Sequence, residues 1–279
     1  NASAYMEYIQ GRVGYIFGGC YGDYDYTNSY FSKYTYPDGK SKQGFTNPRL
    51  DNAFVNFRPT SHARNELERI FGAGQGSLKG FGVDSMQNRS YILIDIPQTV
   101  TKFQNVAVFG AGANCGLGMR ADSATVAANP DRYSAIIDLF RGTVSNIYGG
   151  SFAEGFTRRT LLNVPNTSTV SVNSLFGGAY GDDPLYPCDV YESHVNYHSR
   201  EATVRGNIYG GNNNADRTLY AQVCIDVPVY NGQTDPKTGS KLMSTVYGAG
   251  FGEDTWAQYT EVNLERGAEV YEVYGGGHN

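Results

Sequence analysis

The chain has 279 residues and a net charge of −5, with 22 Lys and Arg against 27 Asp and Glu. It has no basic cluster, and phosphate binding needs a surplus of Lys and Arg on one face, so we expect no nucleic-acid partner. No apolar run reaches the roughly 18–20 residues of a membrane-spanning helix, and we therefore expect no direct membrane insertion.

A short motif recurs along the chain, consisting of an aliphatic residue, an aromatic residue, Gly, and then Gly or Ala. Its eight copies begin at Ile16, Ile70, Val108, Ile147, Leu175, Ile208, Val246 and Val273. The motif predicts a short strand that ends in a sharp turn, where Gly supplies a positive φ and where a β-carbon would clash. The predicted turn glycines are Gly18, Gly72, Gly110, Gly149, Gly177, Gly210, Gly248 and Gly275.

A second motif precedes each of these turns and places one polar residue between two apolar residues. Its polar residues are Glu7, Asn56, Asp95, Asp138, Asn163, Asn196, Asp226 and Asn263. Apolar residues at a period of two indicate a half-buried strand. We expect the polar side chains to stack on one outer face, with Asn amides bonded from repeat to repeat. Two adjacent acids, Asp95 and Asp138, would then repel each other or hold a cation.

Each repeat is too small to bury its apolar side alone, so the repeats must stack. The spacing falls to 28 residues from Tyr148 to Phe176, whereas a four-stranded propeller blade needs roughly 40. The sequence therefore predicts an all-β fold, a parallel β-helix (β-solenoid) of about eight coils with long loops on one edge. A propeller or a β-prism is the alternative. We expect a single repeat domain over 1–279, as a segment of a longer protein, because both ends interrupt the pattern.

The repeated turns of Ile or Val, Tyr or Phe and two or three glycines resemble the glycine-rich β-helix repeats of large bacterial surface proteins. These are the adhesin-like and surface-layer-like proteins typical of gut Bacteroidetes. The resemblance covers nearly the whole chain. It implies an extracellular, cell-surface location and no known cofactor, and it assigns no catalytic residue.

Insertions of variable length separate most Gly turns from the next strand, at 20–53, 74–90, 112–134 and 179–193. Since they leave from the same corner of the repeat, we expect them to crowd along one edge, where binding loops are commonly carried. The insertion at 228–242 lies elsewhere in its repeat.

The first insertion is rich in Tyr, which offers a large amphipathic contact area. Its candidate contacts for a glycan or a surface protein are Tyr24, Tyr26, Tyr30, Tyr34 and Tyr36. The alternative is that these rings pack the loop against the strands.

Two clusters could hold a metal ion. Asp23, Asp25 and Asn28 offer oxygen ligands for Ca²⁺, although no EF-hand pattern is present. Glu192, His194 and His198 are at even spacing and are expected on the same face of one strand, where they could form a His–His–carboxylate site. The alternative in both cases is a solvated polar surface. No other cofactor is expected.

An enzyme is the less favoured interpretation. Asp182 and Asp183 superficially resemble an acid pair of polygalacturonase-type β-helices, but the remaining catalytic context is missing. We therefore expect an extracellular adhesin-like or structural scaffold that binds glycans or other surface proteins through its loops. The alternatives are a β-helix carbohydrate-active enzyme, either polysaccharide lyase or glycoside hydrolase, and a structural spacer or assembly subunit. Other copies, or the rest of a longer chain, could cover the open ends. Cys188 and Cys224 could form a disulfide or remain buried thiols.

Overall fold

The structure is a computed structural model, and it describes residues 3–20, 50–76, 83–118, 123–181, 188–215 and 217–278. The protein is all-β, with mostly parallel strands in curled sheets, which confirms the predicted class. The first strands are β1 (Ser3–Tyr8), β2 (Tyr15–Phe17), β3 (Leu50–Phe57), β4 (Arg69–Phe71), β5 (Val83–Asp95), β6 (Ala107–Phe109), β7 (Cys115–Leu117), β8 (Ala135–Thr143), β9 (Ile147–Tyr148), β10 (Phe152–Ala153) and β11 (Gly155–Val164). The others are β12 (Thr169–Val172), β13 (Leu175–Phe176), β14 (Tyr180–Gly181), β15 (Cys188–Tyr197), β16 (Thr203–Val204), β17 (Ile208–Tyr209), β18 (Arg217–Ile225), β19 (Tyr230–Thr234), β20 (Lys241–Met243), β21 (Val246–Tyr247), β22 (Trp256–Leu264) and β23 (Val273–Tyr274).

The eight copies of the first motif form one sheet of eight strands. Its order, β2-β4-β6-β9-β13-β17-β21-β23, is the order of the chain, and every neighbouring pair is parallel. The aliphatic residues pair with each other, as Ile70 does with Val108, and all except Val273 are buried in the main apolar core. Parallel pairing in chain order differs from the antiparallel blades of a propeller.

Seven of the eight motif glycines, all but Gly275, are required by close packing between neighbouring strands. A β-carbon on Gly72 would lie 2.2 Å from the carbonyl oxygen of Gly110, and on Gly248 it would lie 2.6 Å from that of Gly275. Seven of the eight glycine N–H groups, all but that of Gly275, also donate to the aromatic carbonyl of the next repeat, as Gly72 N does to Phe109 O at 2.9 Å. The expected positive φ is wrong, because none of the eight glycines has a left-handed backbone.

The motif aromatics lie on the opposite side of this sheet and form a continuous stack. Neighbouring ring centroids are separated by 4.7 Å between Phe17 and Phe71 and by 5.1 Å between Tyr247 and Tyr274. The interior rings are almost fully buried because other side chains cover them edge-on, as Phe152 covers Phe109. The full stack is Phe17, Phe71, Phe109, Tyr148, Phe176, Tyr209, Tyr247 and Tyr274.

The second motif lies in a larger sheet of thirteen strands, and β10 and β14 form a third, small sheet. In the larger sheet, inward residues such as Leu162, Val195 and Val223 join the same core as the aliphatic residues of the eight-stranded sheet. The insertion at 228–242 carries the antiparallel hairpin β19–β20, which extends this sheet. The insertion at 112–134 contains β7, a short helix α1 (Ser123–Ala128) and a 3-10 turn (Pro130–Tyr133).

None of the four cysteines, all of which lie in the described part of the chain, forms a disulfide, so the alternative of a disulfide between Cys188 and Cys224 is wrong. Cys188 is buried in a small cluster with Ala179, Val190 and Ala215, whereas Cys224 is part of the outer surface of β18. Within the described part of the chain, no helix is long and apolar enough to cross a membrane.

Candidate functional site

Most of the site residues expected from the sequence lie outside the described part of the chain. The candidate ligand contacts Tyr24, Tyr26, Tyr30, Tyr34 and Tyr36 lie outside the described residues. The candidate calcium ligands Asp23, Asp25 and Asn28 and the acid pair Asp182 and Asp183 do so as well. The described surface with the richest polar and aromatic chemistry lies instead on the long strands of the larger sheet.

Four long strands, β11, β15, β18 and β22, are paired in parallel and carry this surface. Because side chains alternate along a strand, the strand pairing aligns three outward rows. The rows are Arg159–Glu192–Tyr220–Tyr259, Leu161–His194–Gln222–Glu261 and Asn163–Asn196–Cys224–Asn263. We call these twelve residues the outer face.

An aromatic pair forms the exposed part of the outer face. The rings of Tyr220 and Tyr259 are stacked, with centroids 5.3 Å apart and planes 9° apart, and Tyr259 is 57% exposed. The hydroxyl of Tyr220 donates to Oε2 of Glu261 at 2.7 Å. Burial, followed by this carboxylate, raises the pKa of Tyr220 to about 12, so its hydroxyl remains a donor at neutral pH. Trp256, half exposed on the same strand as Tyr259, adds a third aromatic ring near this end of the sheet.

A charged cluster lies beside the aromatic pair. Oε1 of Glu192 lies 3.5 Å from Arg158 Nη1, and its Oε2 lies 3.8 Å from His194 Nε2. His194 and then the arginines lower the pKa of Glu192, while burial opposes them. The guanidinium of Arg158 is buried and stacks on Tyr191 at 3.8 Å from the ring centroid. Glu192 is thus held as a carboxylate, whereas a general acid needs a pKa near the working pH.

The row of polar residues is a hydrogen-bonded ladder, although two of its predicted members are wrong. Asn196 donates to Asn163 at 2.9 Å, and Asn163 donates to Asp138 at 2.8 Å. Leu93 and Cys224 occupy the ladder positions that we had assigned to Asp95 and Asp226. In an alternating sequence, any of several outward residues could lie opposite a given residue of the neighbouring strand. Only the strand pairing shows which one does.

The expected repulsion between Asp95 and Asp138 is therefore absent. Asp95 forms ion pairs with Arg58, at 3.1 Å, and with Arg141. Asp138 accepts a hydrogen bond from the hydroxyl of Tyr91 at 2.7 Å. Burial and this carboxylate raise the pKa of Tyr91, which therefore donates throughout the neutral range.

The proposed His–His–carboxylate site is not assembled. His194 faces Gln222, with Nδ1 2.9 Å from Oε1, whereas His198 lies beyond the end of β15 and pairs with Asp226 at 3.0 Å. No group of three or more His, Cys, Asp or Glu side chains is arranged to hold a metal ion among the residues that the structure describes.

Sequence reasoning named Glu192, His194 and three Asn residues of the outer face but missed the aromatic pair and Glu261, because the rows cross four repeats. Tyr220 and Tyr259 lie 39 positions apart, and Glu261 and Gln222 are equally distant. The available signal was the alternation within each long strand, but only the strand pairing aligns the rows. Comparison of the chain with protein-family models, curated proteins and solved structures finds no match.

Proposed function

We propose that the protein is an extracellular, adhesin-like scaffold of the bacterial cell surface that binds glycans. In this proposal its curled parallel sheets are the sides of a parallel β-helix of about eight coils. The β-helix is supported by the eight-stranded sheet, in which each interior strand pairs with the corresponding strands of the preceding and following repeats. The small third sheet is extended by parallel bridges such as that between Ala113 and Phe152. A chain that returns to three sheets in each repeat winds as a three-sided coil.

The observation that carries the binding role is the stacked pair Tyr220 and Tyr259 beside Glu261. An exposed aromatic ring offers an apolar surface for the face of a sugar ring, and the neighbouring carboxylate and amide groups offer partners for its hydroxyls. The hydrogen bond from Tyr220 to Glu261 and the stacking of Tyr259 on Tyr220 order these side chains before a ligand arrives, which lowers the entropic cost of binding.

Binding is favoured over catalysis by the state of the carboxylates. Glycoside hydrolysis requires one carboxylic acid whose pKa is raised, beside a second, ionised carboxylate. On the outer face, neighbouring groups lower the pKa of both Glu192 and Glu261. The side chains therefore fit hydrogen-bond acceptors for hydroxyl groups better than proton donors for a leaving group.

A glycan array followed by titration with the best soluble oligosaccharide tests this proposal. We expect Tyr259→Ala to weaken binding by about tenfold, the loss of one aromatic contact. Tyr271→Ala is the matched control, because Tyr271 is 70% exposed and lies off the outer face. An array without a single hit, or equal binding by both variants, contradicts the proposal. Release of reducing ends from a bound polysaccharide would show the alternative, a carbohydrate-active enzyme.

The Tyr-rich insertion belongs to the same proposal, as a second set of contacts. Deletion of residues 21–49 distinguishes binding by this insertion from binding by the outer face. Binding that survives this deletion but is lost in Tyr259→Ala assigns the ligand to the outer face. Binding with the opposite pattern assigns it to Tyr24, Tyr26, Tyr30, Tyr34 and Tyr36.

A further inference from the structure

A polar pocket lies where the insertion at 112–134 packs against β5, on the outward surface of the larger sheet. It has a volume of about 500 Å³, and its lining includes Asn52 and Arg89 from the sheet and Asn129, Asp131 and Arg132 from the insertion. Asn52 and Arg89 are opposite each other in β3 and β5, and each of these strands has a neighbour on both sides. We call this site the arginine pocket.

The guanidinium of Arg89 is held in place without a counterion. It lies 5.2 Å from the ring centroid of Phe54, and its Nε is buried and makes no hydrogen bond within the described chain. A buried charged donor without a partner is costly, because it has lost its contact with water. An anion in the pocket would offset part of this cost.

Arg132 brings a second positive charge to the pocket. Its guanidinium lies 5.4 Å from the ring centroid of Tyr133, and neither Arg89 nor Arg132 forms an ion pair with any residue that the structure describes. Elsewhere on the larger sheet, Arg217 is paired with Asp189. Two stacked arginines whose N–H groups have no carboxylate partner are suited to receive one from a ligand.

The charge of the pocket also favours an anion. Arg89 and Arg132 against the exposed Asp131 leave one net positive charge, in a chain whose net charge is −5. A local positive site on an acidic chain attracts an anionic group of a ligand, although the rest of the surface does not.

Two aromatic rings lie next to the pocket along the same strands. Phe54 and Tyr91 are opposite each other, two residues beyond Asn52 and Arg89, and their ring centroids are 6.4 Å apart. Both side chains are only partly buried. Two residues of a strand span about 7 Å, which is comparable to the length of one sugar ring with its substituents. A sugar that rests on these rings therefore brings an acidic substituent to Arg89.

We propose that the arginine pocket binds an acidic sugar, one that carries a carboxylate or a sulfate group. Guanidinium groups recognise such oxyanions through paired N–H donors. The aromatic rings fit the face of the sugar, and the amides of Asn52 and Asn129 fit its hydroxyls. The pocket is a second site beside the outer face, and it rests on the proposed glycan binding only for the choice of a sugar as the carrier of the charge.

Isothermal titration calorimetry of the full chain tests this assignment with two matched ligands. One is an oligosaccharide of uronic acids, and the other is the same oligosaccharide after chemical reduction of its carboxyl groups. We expect the wild type to bind the acidic form at least about tenfold more tightly. Arg132→Gln should remove this preference and keep the fold, because Arg132 is exposed. Arg266→Gln, which changes an exposed arginine outside the pocket, is the matched control and should keep the preference.

A sulfated oligosaccharide and inorganic sulfate distinguish the two acidic groups. Tighter binding of the sulfated than of the uronic form, lost in Arg132→Gln, would identify sulfate as the group that the pocket takes. Inorganic sulfate that binds as tightly as the sulfated oligosaccharide would overturn the proposal, because the sugar would then make no contact. Equal binding of the acidic and the reduced forms, or an unchanged preference in Arg132→Gln, would overturn it as well.

Tyr259→Ala separates this site from the outer face. Acidic binding that persists in Tyr259→Ala and is lost in Arg132→Gln supports the arginine pocket, whether or not the outer face binds neutral glycans. Acidic binding that is lost in Tyr259→Ala and persists in Arg132→Gln would assign the acidic sugar to the outer face and overturn the inference.

Discussion

A β-carbon on Gly110 would lie 2.2 Å from the carbonyl oxygen of Gly149 in the adjacent strand. No real β-carbon tolerates this distance, so either the two strands must separate or the variant must distort. We expect Gly110→Ala to lower the free energy of unfolding by about 2 kcal/mol or more, an overpacking cost. Urea denaturation measures it.

Gly275→Ala is the matched control for this substitution, because its β-carbon meets open space. We expect its effect to stay within about 0.5 kcal/mol. Equal stability of the two variants would show that the glycine column does not hold the strands close together.

The aromatic stack predicts that truncating an interior ring lowers the free energy of unfolding more than truncating a ring at its end. Phe109 is 2% exposed and lies between Phe71 and Tyr148, at 5.0 and 4.9 Å. Phe109→Ala should cost about 3–5 kcal/mol, the usual loss for a buried Phe. Tyr274→Ala, at the half-exposed end, should cost less than half as much, as measured by thermal unfolding at low protein concentration. A reversed order would contradict the stack.

Acid should remove the contribution of Glu192 to stability. Its pKa is lower in the folded state than in the unfolded state, so it stabilises the fold above its unfolded pKa. This contribution is lost as the pH falls below the unfolded pKa and through the lower folded pKa. We expect Glu192→Gln to be less stable than the wild type by about 1–2 kcal/mol at pH 7, because Arg158 loses its charged partner. The difference should shrink as acid protonates Glu192 in the folded state, and an equal difference at pH 7 and in acid would contradict this assignment.

The position of Cys224 in the ladder can be tested by replacing it with Asn, the residue of its neighbours in that row. Cys224 lies between Asn196 and Asn263, and Asn263 Nδ2 lies 3.7 Å from its sulfur. Cys224→Asn should join the ladder and leave stability unchanged or raise it by about 0.5 kcal/mol. Cys224→Leu is the comparison, since Leu93 occupies the same row. A loss above about 1 kcal/mol for Asn would indicate a different register.

Much of the strand arrangement was readable from the sequence, because the motif glycines and aliphatic residues keep fixed positions. The motif aliphatic residues are buried in the core, with the exception of Val273 in the last repeat. Two features were not readable. In Ile92-Leu93-Ile94-Asp95-Ile96, both Leu93 and Asp95 point outward, so the alternation does not show which of them joins the polar row. The pairing with β3 and β8 places Leu93 there. The pairing of Tyr220 with Tyr259 depends on the register between repeats of different length.

The glycines illustrate a second limit. Their spacing indicates a special backbone position, but it does not distinguish a positive φ from close contact with a neighbouring strand. In this protein, close contact explains Gly110, while the positive φ values occur at other glycines, such as Gly142 and Gly155.

The most direct test of the parallel stacking in chain order is a distance between the two ends of the eight-stranded sheet. Double electron–electron resonance between spin labels at positions 15 and 272 measures this distance. The labelled protein carries Ser in place of Cys20 and Cys224 and is diluted with unlabelled protein. Seven strand spacings of about 4.8 Å predict about 34 Å. A distance below about 20 Å would mean that the ends approach each other, and it would contradict the open stack on which the account depends.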